Sequence, residues 1–330
     1  MIAAILHDVV EDTPYTIEDL EREFGYDVVH LVEGLTKIVE IRDEELIPSG
    51  SDERLINSAL SFRKMLIASI KDVRVLVIKL CDRLHNMLTL DALSAEKQRR
   101  IAEETLVVYA PIAHRLGISR LKNHLEDLSF CYIYPDDYKE IDTYIKSNAQ
   151  NLKFKLNAFI QNVKETMVKD GFKEEEFDII GRVKHYYSIY LKMHRKGVSI
   201  EEVLDLLAIR IIVNKPIDCY RVLGLMHLKF TPLVSRFKDY IAVPKENGYK
   251  TIHTTLFDEE GIVEAQIRTK EMHRLAEYGV AAHWKYKGGD NSVNLEWLES
   301  LHYQNESIEE FYELAKSDLF SEDITVFSLQ

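Results

Sequence analysis

Glu264, Gln266 and Arg268 occupy alternate positions in Ile262–Thr269. On a strand that spacing sends all three to one face and Val263, Ala265 and Ile267 to the other. A carboxylate, an amide and a guanidinium side by side make a floor that can hold a metal ion and a phosphate. Asp205 stands at the mouth of a second apolar run, Leu206–Val213, which also carries Arg210. A lone carboxylate at a strand end is a natural ligand for a hard divalent cation. Lys184, Ser188 and Lys192 recur every fourth residue, so on a helix they form a polar stripe that can track a polyphosphate. Arg236 and Lys238 alternate in Arg236–Tyr240, and Lys245–His253 sets Lys245, Asn247, Tyr249 and His253 around an Asn-Gly turn. Tyr249 is expected to be exposed on that turn, where a tyrosine can stack on a nucleobase.

A second polar cluster opens the chain. His7, Asp8, Glu11 and Asp12 stand close together in an apolar stretch. On a helix His7 shares a face with Glu11, and Asp8 with Asp12. Asp82 ends the apolar run Leu76–Cys81, and Asn86 and Thr89 follow at i+4 and i+7. An imidazole beside a carboxylate is half of a common metal site, and a distant carboxylate can complete it. Each segment alone also suits an ordinary helix with a polar end. Neither G-x-x-x-x-G-K-[ST] nor G-x-G-x-x-G occurs, so phosphate here would be held by side-chain cations and a metal instead of a glycine cradle.

Two kinds of scaffold are needed. The first half has helical apolar spacing in Ile17–Leu35, Leu55–Ile70, Ile101–Ala113 and Tyr138–Val168. Thr16 and Ser94, each followed closely by acids, suit helix starts, and Pro135-Asp136-Asp137 suits a turn into another. Arg42–Asp52 reads as an exposed loop. Near Gly171 short β-rich runs begin to alternate with helices: Asp178–Ile180, Leu206–Val213, Phe237–Val243, Thr251–Phe257 and Ile262–Thr269. The expected fold class is α+β, a helical half followed by a mixed α/β half.

The composition, 46% hydrophobic and 29% charged over 330 residues, is that of a soluble globular protein. The longest apolar runs are too short to span a bilayer, so no membrane partner is expected. Three dispersed cysteines suit a reduced, cytoplasmic chain. The net charge is −13, yet Gly181–Asp290 holds 18 Lys and Arg against 13 Asp and Glu. A basic island in an acidic chain points to a bound anion, while the acidic surroundings weigh against direct sequence-specific DNA binding.

The strings HDVVEDT and DRLHNMLTL resemble the HD-type hydrolase domain of long RelA/SpoT proteins. GRVKHYYSIYLKM, DLLAIR, RFKDYIAVPKENGYKTIHTT, VEAQIRT and EMHRLAEYGVAAHWKYK resemble that family's synthetase domain in order and approximate spacing. The resemblance implies a nucleotidyltransferase-like fold for the second half. It implies transfer of the β,γ-pyrophosphate of ATP to the 3′-hydroxyl of GDP or GTP, yielding ppGpp or pppGpp, in the stringent response. Arg182 and Arg210 would sandwich adenine, and Lys184, Ser188, Lys192, Arg236 and Lys238 would hold the ATP phosphates. Asp205 and Glu264 would bind Mg2+, with Glu264 as the base and Gln266 and Arg268 supporting it. Tyr249 would stack on guanine, with Lys245, Asn247 and His253 completing the acceptor site.

For the first half the resemblance implies a (p)ppGpp 3′-pyrophosphohydrolase using Mn2+. His7, Asp8 and Asp82 would be ligands, Glu11 and Asp12 would position or activate water, and Asn86 and Thr89 would contact the nucleoside. The family takes a further His from a helix upstream of His7. Six residues precede His7 here and none is a His, so hydrolysis is expected to be weak or absent and the termini to be cut from a longer protein. Lys250 and Ala265 also depart from the usual pattern, without removing a proposed catalytic group. The expected domains are a hydrolase domain over 1–133, a helical connector over 134–174, the synthetase over 175–290, a helical linker over 291–321, and over 322–330 the start of a TGS-like domain, whose full-length relatives meet the ribosome. The alternatives are an active hydrolase and a non-enzymatic nucleotide sensor.

Overall fold

A computed structural model describes residues 1–43, 72–203, 205–245, 247–258 and 261–284. The expected helix Leu55–Ile70, most of the loop Arg42–Asp52, and the linker and TGS-like segments after 290 lie outside the described residues. The chain forms two compact units, the first running from Met1 to Ala113 and the second beginning at His114. That division precedes the expected boundary after residue 133.

The first unit is helical: α1 (Ile2–Ile5), α2 (Val9–Asp12), α3 (Ile17–Phe24), α4 (Tyr26–Asp43), α5 (Arg74–Leu88), α6 (Ala95–Glu104) and, after one π turn, the start of α7 (Ala110–Arg115), whose last two residues already count with the second unit. Thr16 caps α3 as expected, exchanging hydrogen bonds with Asp19: the Asp19 amide donates to Thr16 Oγ1 at 3.2 Å and the Thr16 amide to Asp19 Oδ2 at 3.1 Å. The apolar pattern over Ile17–Leu35 is two helices, not one, because Gly25 takes φ +80° between them. The expected helix through His7–Asp12 is likewise broken. His7 Nδ1 bonds the Ala4 carbonyl at 3.1 Å, closing the first turn, and Asp8 takes the N-cap position of α2, where short polar side chains are favoured. Gly34 lets α4 approach α5, since a Cβ there would sit 2.9 Å from Val75 Cγ2.

The second unit follows with α8 (Ser119–Ile133), α9 (Pro135–Ser147), α10 (Ala149–Lys169), β1 (Phe177–Val183), α11 (Tyr186–Lys196), β2 (Leu207–Val213), α12 (Pro216–Lys229), β3 (Thr231–Pro232), β4 (Lys238–Asp239), β5 (Ile252–Asp258), β6 (Gly261–Thr269), α13 (Lys270–Tyr278) and α14 (Ala281–Trp284). Helix α8 falls in this unit because Phe130 packs on Tyr187 and Tyr190 of α11, at 5.8 and 4.8 Å between ring centres. The stretch read as a connector is part of the same core. From it α10 buries Phe159, Val163 and Met167 against the sheet.

The strands run in the order β1-β2-β6-β5-β3, with β4 also on β5. Strands β2 and β6 are parallel and the other pairs antiparallel. Ile209, Ile211, Ile252, Leu256, Val263, Ala265 and Ile267 face α10 and α12. The expected strand Phe237–Val243 shrinks to β4, because Asp239 Oδ1 accepts from the amides of Ile241 and Ala242 at 2.9 and 3.0 Å and turns the chain away.

Gly279 ends α13 with φ +51° and would place a Cβ 2.0 Å from the Leu116 carbonyl oxygen. Gly279→Ala is therefore expected to lower stability by about 1–3 kcal/mol or more in denaturant unfolding. Gly197→Ala, at φ +63° with nothing within 4 Å, should cost only about 1–2 kcal/mol.

Candidate active site

The site lies on the sheet face opposite the α10–α12 core. Register assembles it from four strands. Ile180 pairs with Arg210, Arg210 with Gln266, and Gln266 with His253; in the next row Arg182 pairs with Ala208, Ala208 with Glu264, and Glu264 with Thr255. Paired residues point to the same side, so Arg182, Arg210, Glu264, Gln266, Arg268 and His253 share one face. The predicted alternation along β6 holds, but the polar row is not a wet surface: Gln266 is 5% and Arg268 1% exposed.

At one end Lys184 joins the two carboxylates. Its Nζ lies 2.6 Å from Asp205 Oδ2 and 2.6 Å from Glu264 Oε2. Lys192 also donates to Asp205 Oδ2, and Arg236 Nη1 stands 3.4 Å from it. Burial by itself would raise Asp205, but Lys184 and Lys192 outweigh it and hold the carboxyl at about 2. Burial would raise Glu264 too, and His253 and Lys184 instead hold it well below the usual carboxylate range. Burial, with Lys184 beside it, brings Lys192 down to about 8.

Lys184 does not sit on the helix as the four-residue spacing predicted. Helix α11 begins at Tyr186 with His185 as its N-cap, so Lys184 belongs to the strand–helix link. It and Lys192 nevertheless converge on Asp205. Ser188 is half-buried on α11. Arg236 and Lys238 part company: Arg236 ends a 3-10 turn and reaches Asp205, while Lys238 is exposed on β4 opposite His253.

From Glu264 a hydrogen-bonded row runs along the sheet. Gln266 Nε2 donates to Glu264 Oε1 at 3.0 Å, and Arg210 Nε to Gln266 Oε1 at 3.3 Å. Arg210 Nη1 then meets Glu277 Oε1 at 2.9 Å. Glu277 was not among the residues singled out from the sequence. It lies near the end of α13, and nothing in a helical pattern says that this face folds onto β2 and β6.

His253 bridges two groups, with Nδ1 3.5 Å from Glu264 Oε1 and Nε2 3.0 Å from Tyr249 Oη. Tyr249 is half-buried rather than exposed as expected, because its hydroxyl meets His253 and its ring meets Tyr240 and His253 edgewise at 6.1 and 5.9 Å. The Asn-Gly turn forms with Gly248 at φ +74°. Asn247 spends its amide on that loop: Nδ2 donates to the His114 carbonyl at 3.0 Å and Oδ1 accepts from the Tyr249 amide at 3.2 Å. Lys245 Nζ lies 5.1 Å from the centre of the Tyr240 ring.

In the first unit His7 Nε2 stands 3.0 Å from Asp8 Oδ2 and 3.4 Å from Asp82 Oδ1. Lys79 Nζ takes Asp82 Oδ2 at 2.9 Å, and Asn86 Nδ2 donates to Asp82 Oδ1 at 3.2 Å. Glu11 and Asp12 are exposed on α2. Thr89 turns inward on its own helix, donating to the His85 carbonyl at 3.2 Å.

Residues 181–291 match a family described as a region found in RelA / SpoT proteins, and residues 1–119 match the HD domain family. Over 99% of its length the chain is 43% identical to the guanosine-3′,5′-bis(diphosphate) 3′-pyrophosphohydrolase of Aquifex aeolicus and 42% identical to the bifunctional (p)ppGpp synthase/hydrolase SpoT of Escherichia coli, covering 46% and 47% of those proteins. The chain belongs to the RelA/SpoT family. The GTP pyrophosphokinase of Myxococcus xanthus is another relative, 41% identical over 99% of this chain and 44% of that one. This RelA/SpoT chain spans about half the length of the curated relatives it matches. Among the described residues no helix is long and apolar enough to cross a membrane.

Family members of both kinds work with divalent metals. In the second unit the donors fit one. The Lys184 ammonium occupies a point shared by Asp205 and Glu264, and two carboxylates completed by water and substrate phosphates are a usual magnesium arrangement. In the first unit the fit is partial. His7 Nε2 lies buried between the Asp8 and Asp82 carboxylates, as suits a ligand atom, but Lys79 competes for Asp82. Among the described residues no three His, Cys, Asp or Glu side chains are set as ligands of one ion.

Removing Lys184 would leave two buried carboxylates facing each other without the cation they share, although Lys192 and Arg236 stay on Asp205 and His253 on Glu264. Lys184→Met should cost about 3–5 kcal/mol in urea unfolding. Lys184→Met/Glu264→Gln should recover a large part of that loss, and an additive double variant would refute the electrostatic account.

Proposed function

We propose that the second unit is a pyrophosphokinase that transfers the β,γ-pyrophosphate of ATP to the 3′-hydroxyl of GDP or GTP, forming ppGpp or pppGpp. The observation that carries this reading is the bridging of Asp205 and Glu264 by Lys184, with Lys192 and Arg236 also on Asp205. Substrate-free, the cations and carboxylates neutralise one another. A polyphosphate is the ligand that can take over three cations at once.

Lys184, Lys192 and Arg236 then turn from the carboxylates to the phosphates, and Ser188 and Lys238 flank the same region. Arg182 and Arg210 hold adenine, a role that suits planar guanidiniums. Tyr249 and His253 receive the guanosine, and Lys245 and Asn247 shape the loop that carries them. Magnesium held by Asp205 and Glu264 would supply charge neutralisation at the transferring group. The acceptor 3′-oxygen attacks the β-phosphorus, the bond from that phosphorus to the oxygen bridging the α-phosphate breaks, and AMP leaves. Positioning and charge stabilisation supply most of the catalysis in such transfers. The acceptor proton passes to Glu264. In the resting site this is a weak base, because His253 and Lys184 stabilise its carboxylate.

Glu264→Gln and Asp205→Asn should each abolish synthesis from ATP and GDP, by about a thousandfold or more, with the circular dichroism spectrum retained. Substantial synthesis in either variant would sink the residue assignment.

A second reading rests on the approach of His7, Asp8 and Asp82 in the first unit, the arrangement of a (p)ppGpp hydrolase. With the ligand set partial, release of pyrophosphate from ppGpp in the presence of Mn2+ should be slow or undetectable. Rapid release that is lost in Asp82→Asn would establish the hydrolase instead.

A further inference from the structure

Glu277 stands where three cations gather. Arg182, Arg210 and Arg268 lie on one sheet face. Arg268 is 1% exposed, and the Nε atoms of both Arg182 and Arg268 are buried without a hydrogen-bond partner. Helix α13 brings a counter-charge to this group: Glu277 Oε1 lies 2.9 Å from Arg210 Nη1 and 3.4 Å from Arg268 Nη2. Arg210 is thereby held at two points, Nη1 by Glu277 and Nε by Gln266 at 3.3 Å. A guanidinium is planar, so two anchors in its plane fix the orientation of its face as well as its place.

We infer that Glu277 is a positioning residue of the synthetase, holding the Arg210 guanidinium in the plane required to stack on the purine of the donor nucleotide. The inference rests on the pyrophosphokinase reading, which places that purine between Arg182 and Arg210. Its alternative is that Glu277 merely offsets charge. The two differ in sign. A charge-offsetting carboxylate weakens polyphosphate binding, so its removal would tighten every anionic ligand. A positioning carboxylate strengthens binding of the nucleotide in particular.

The experiment compares wild type with Glu277→Gln, which keeps an oxygen acceptor at nearly the same place, by calorimetric titration with α,β-methylene ATP and separately with inorganic tripolyphosphate, both with Mg2+. The expected result is about tenfold weaker binding of the analogue, the scale of a charge-assisted hydrogen bond reduced to a neutral one, with tripolyphosphate bound as well as before or better. In turnover KM for ATP should rise by a similar factor and KM for GDP should stay put. Analogue binding equal to or tighter than wild type would overturn the inference. Should Glu277→Gln fail to fold, Glu277→Asp keeps the charge and shortens the reach. It is expected to weaken the analogue and leave tripolyphosphate unchanged, and unchanged analogue binding there would also overturn the inference. Wild type that binds no analogue would defeat the pyrophosphokinase reading itself, and the inference with it.

Discussion

The second unit depends on one ammonium group shared by two carboxylates. Lys184 stands between Asp205 and Glu264 at 2.6 Å from each, in a pocket where all three are largely withdrawn from water. Such a group is costly to bury alone and costly to strip of one member. The architecture therefore has to deliver all three side chains together. Lys184 comes from the link after β1, Asp205 from just before β2, and Glu264 from the middle of β6. The antiparallel β1–β2 pair and the parallel β2–β6 pair bring these three chain segments side by side.

The rest of the sheet serves that placement. Its back is sealed by α10 and α12 with an apolar core, which fixes register, because a one-residue slip would send Glu264, Gln266 and Arg268 into that core. Its front is tied by side chains, from Glu264 through Gln266 to Arg210 and on to Glu277, and from Glu264 through His253 to Tyr249. His253 and Lys184, meeting on one carboxylate, hold Glu264 well below the usual carboxylate range despite its burial. With Lys192 and Arg236 on Asp205, the site is a set of internal ion pairs.

Much of this was legible in the sequence where chemistry and periodicity coincide. The alternation Glu264, Gln266, Arg268 identified both the strand and the face that carries its polar row, and Thr16 and Gly248 announced a helix cap and a turn. Local rules failed where a tertiary contact or a side chain competing for the backbone decided the outcome. Asp239 folds its side chain onto the following amides and ends β4 after two residues. Gly25 and the His7–Asp8 bend divide stretches whose apolar spacing alone suggested unbroken helices. Tyr249 was expected to be exposed from its turn, but the strands on either side of that turn bring Tyr240 and His253 onto it. Glu277 lies within the string EMHRLAEYGVAAHWKYK, but no local pattern singled it out, since its partners Arg210 and Arg268 reach it only through the fold. In the first unit the sequence singled out His7, Asp8 and Asp82, and these do approach one another, but spacing did not reveal that Lys79 also binds Asp82.

The most direct measurement is the fate of ATP. With ATP, GDP and Mg2+, the account predicts that the chain forms AMP and ppGpp in equal amounts, followed by anion-exchange chromatography, with no ADP. Formation of ADP and phosphate, or no guanosine product while ATP is consumed, would contradict transfer of pyrophosphate from this site.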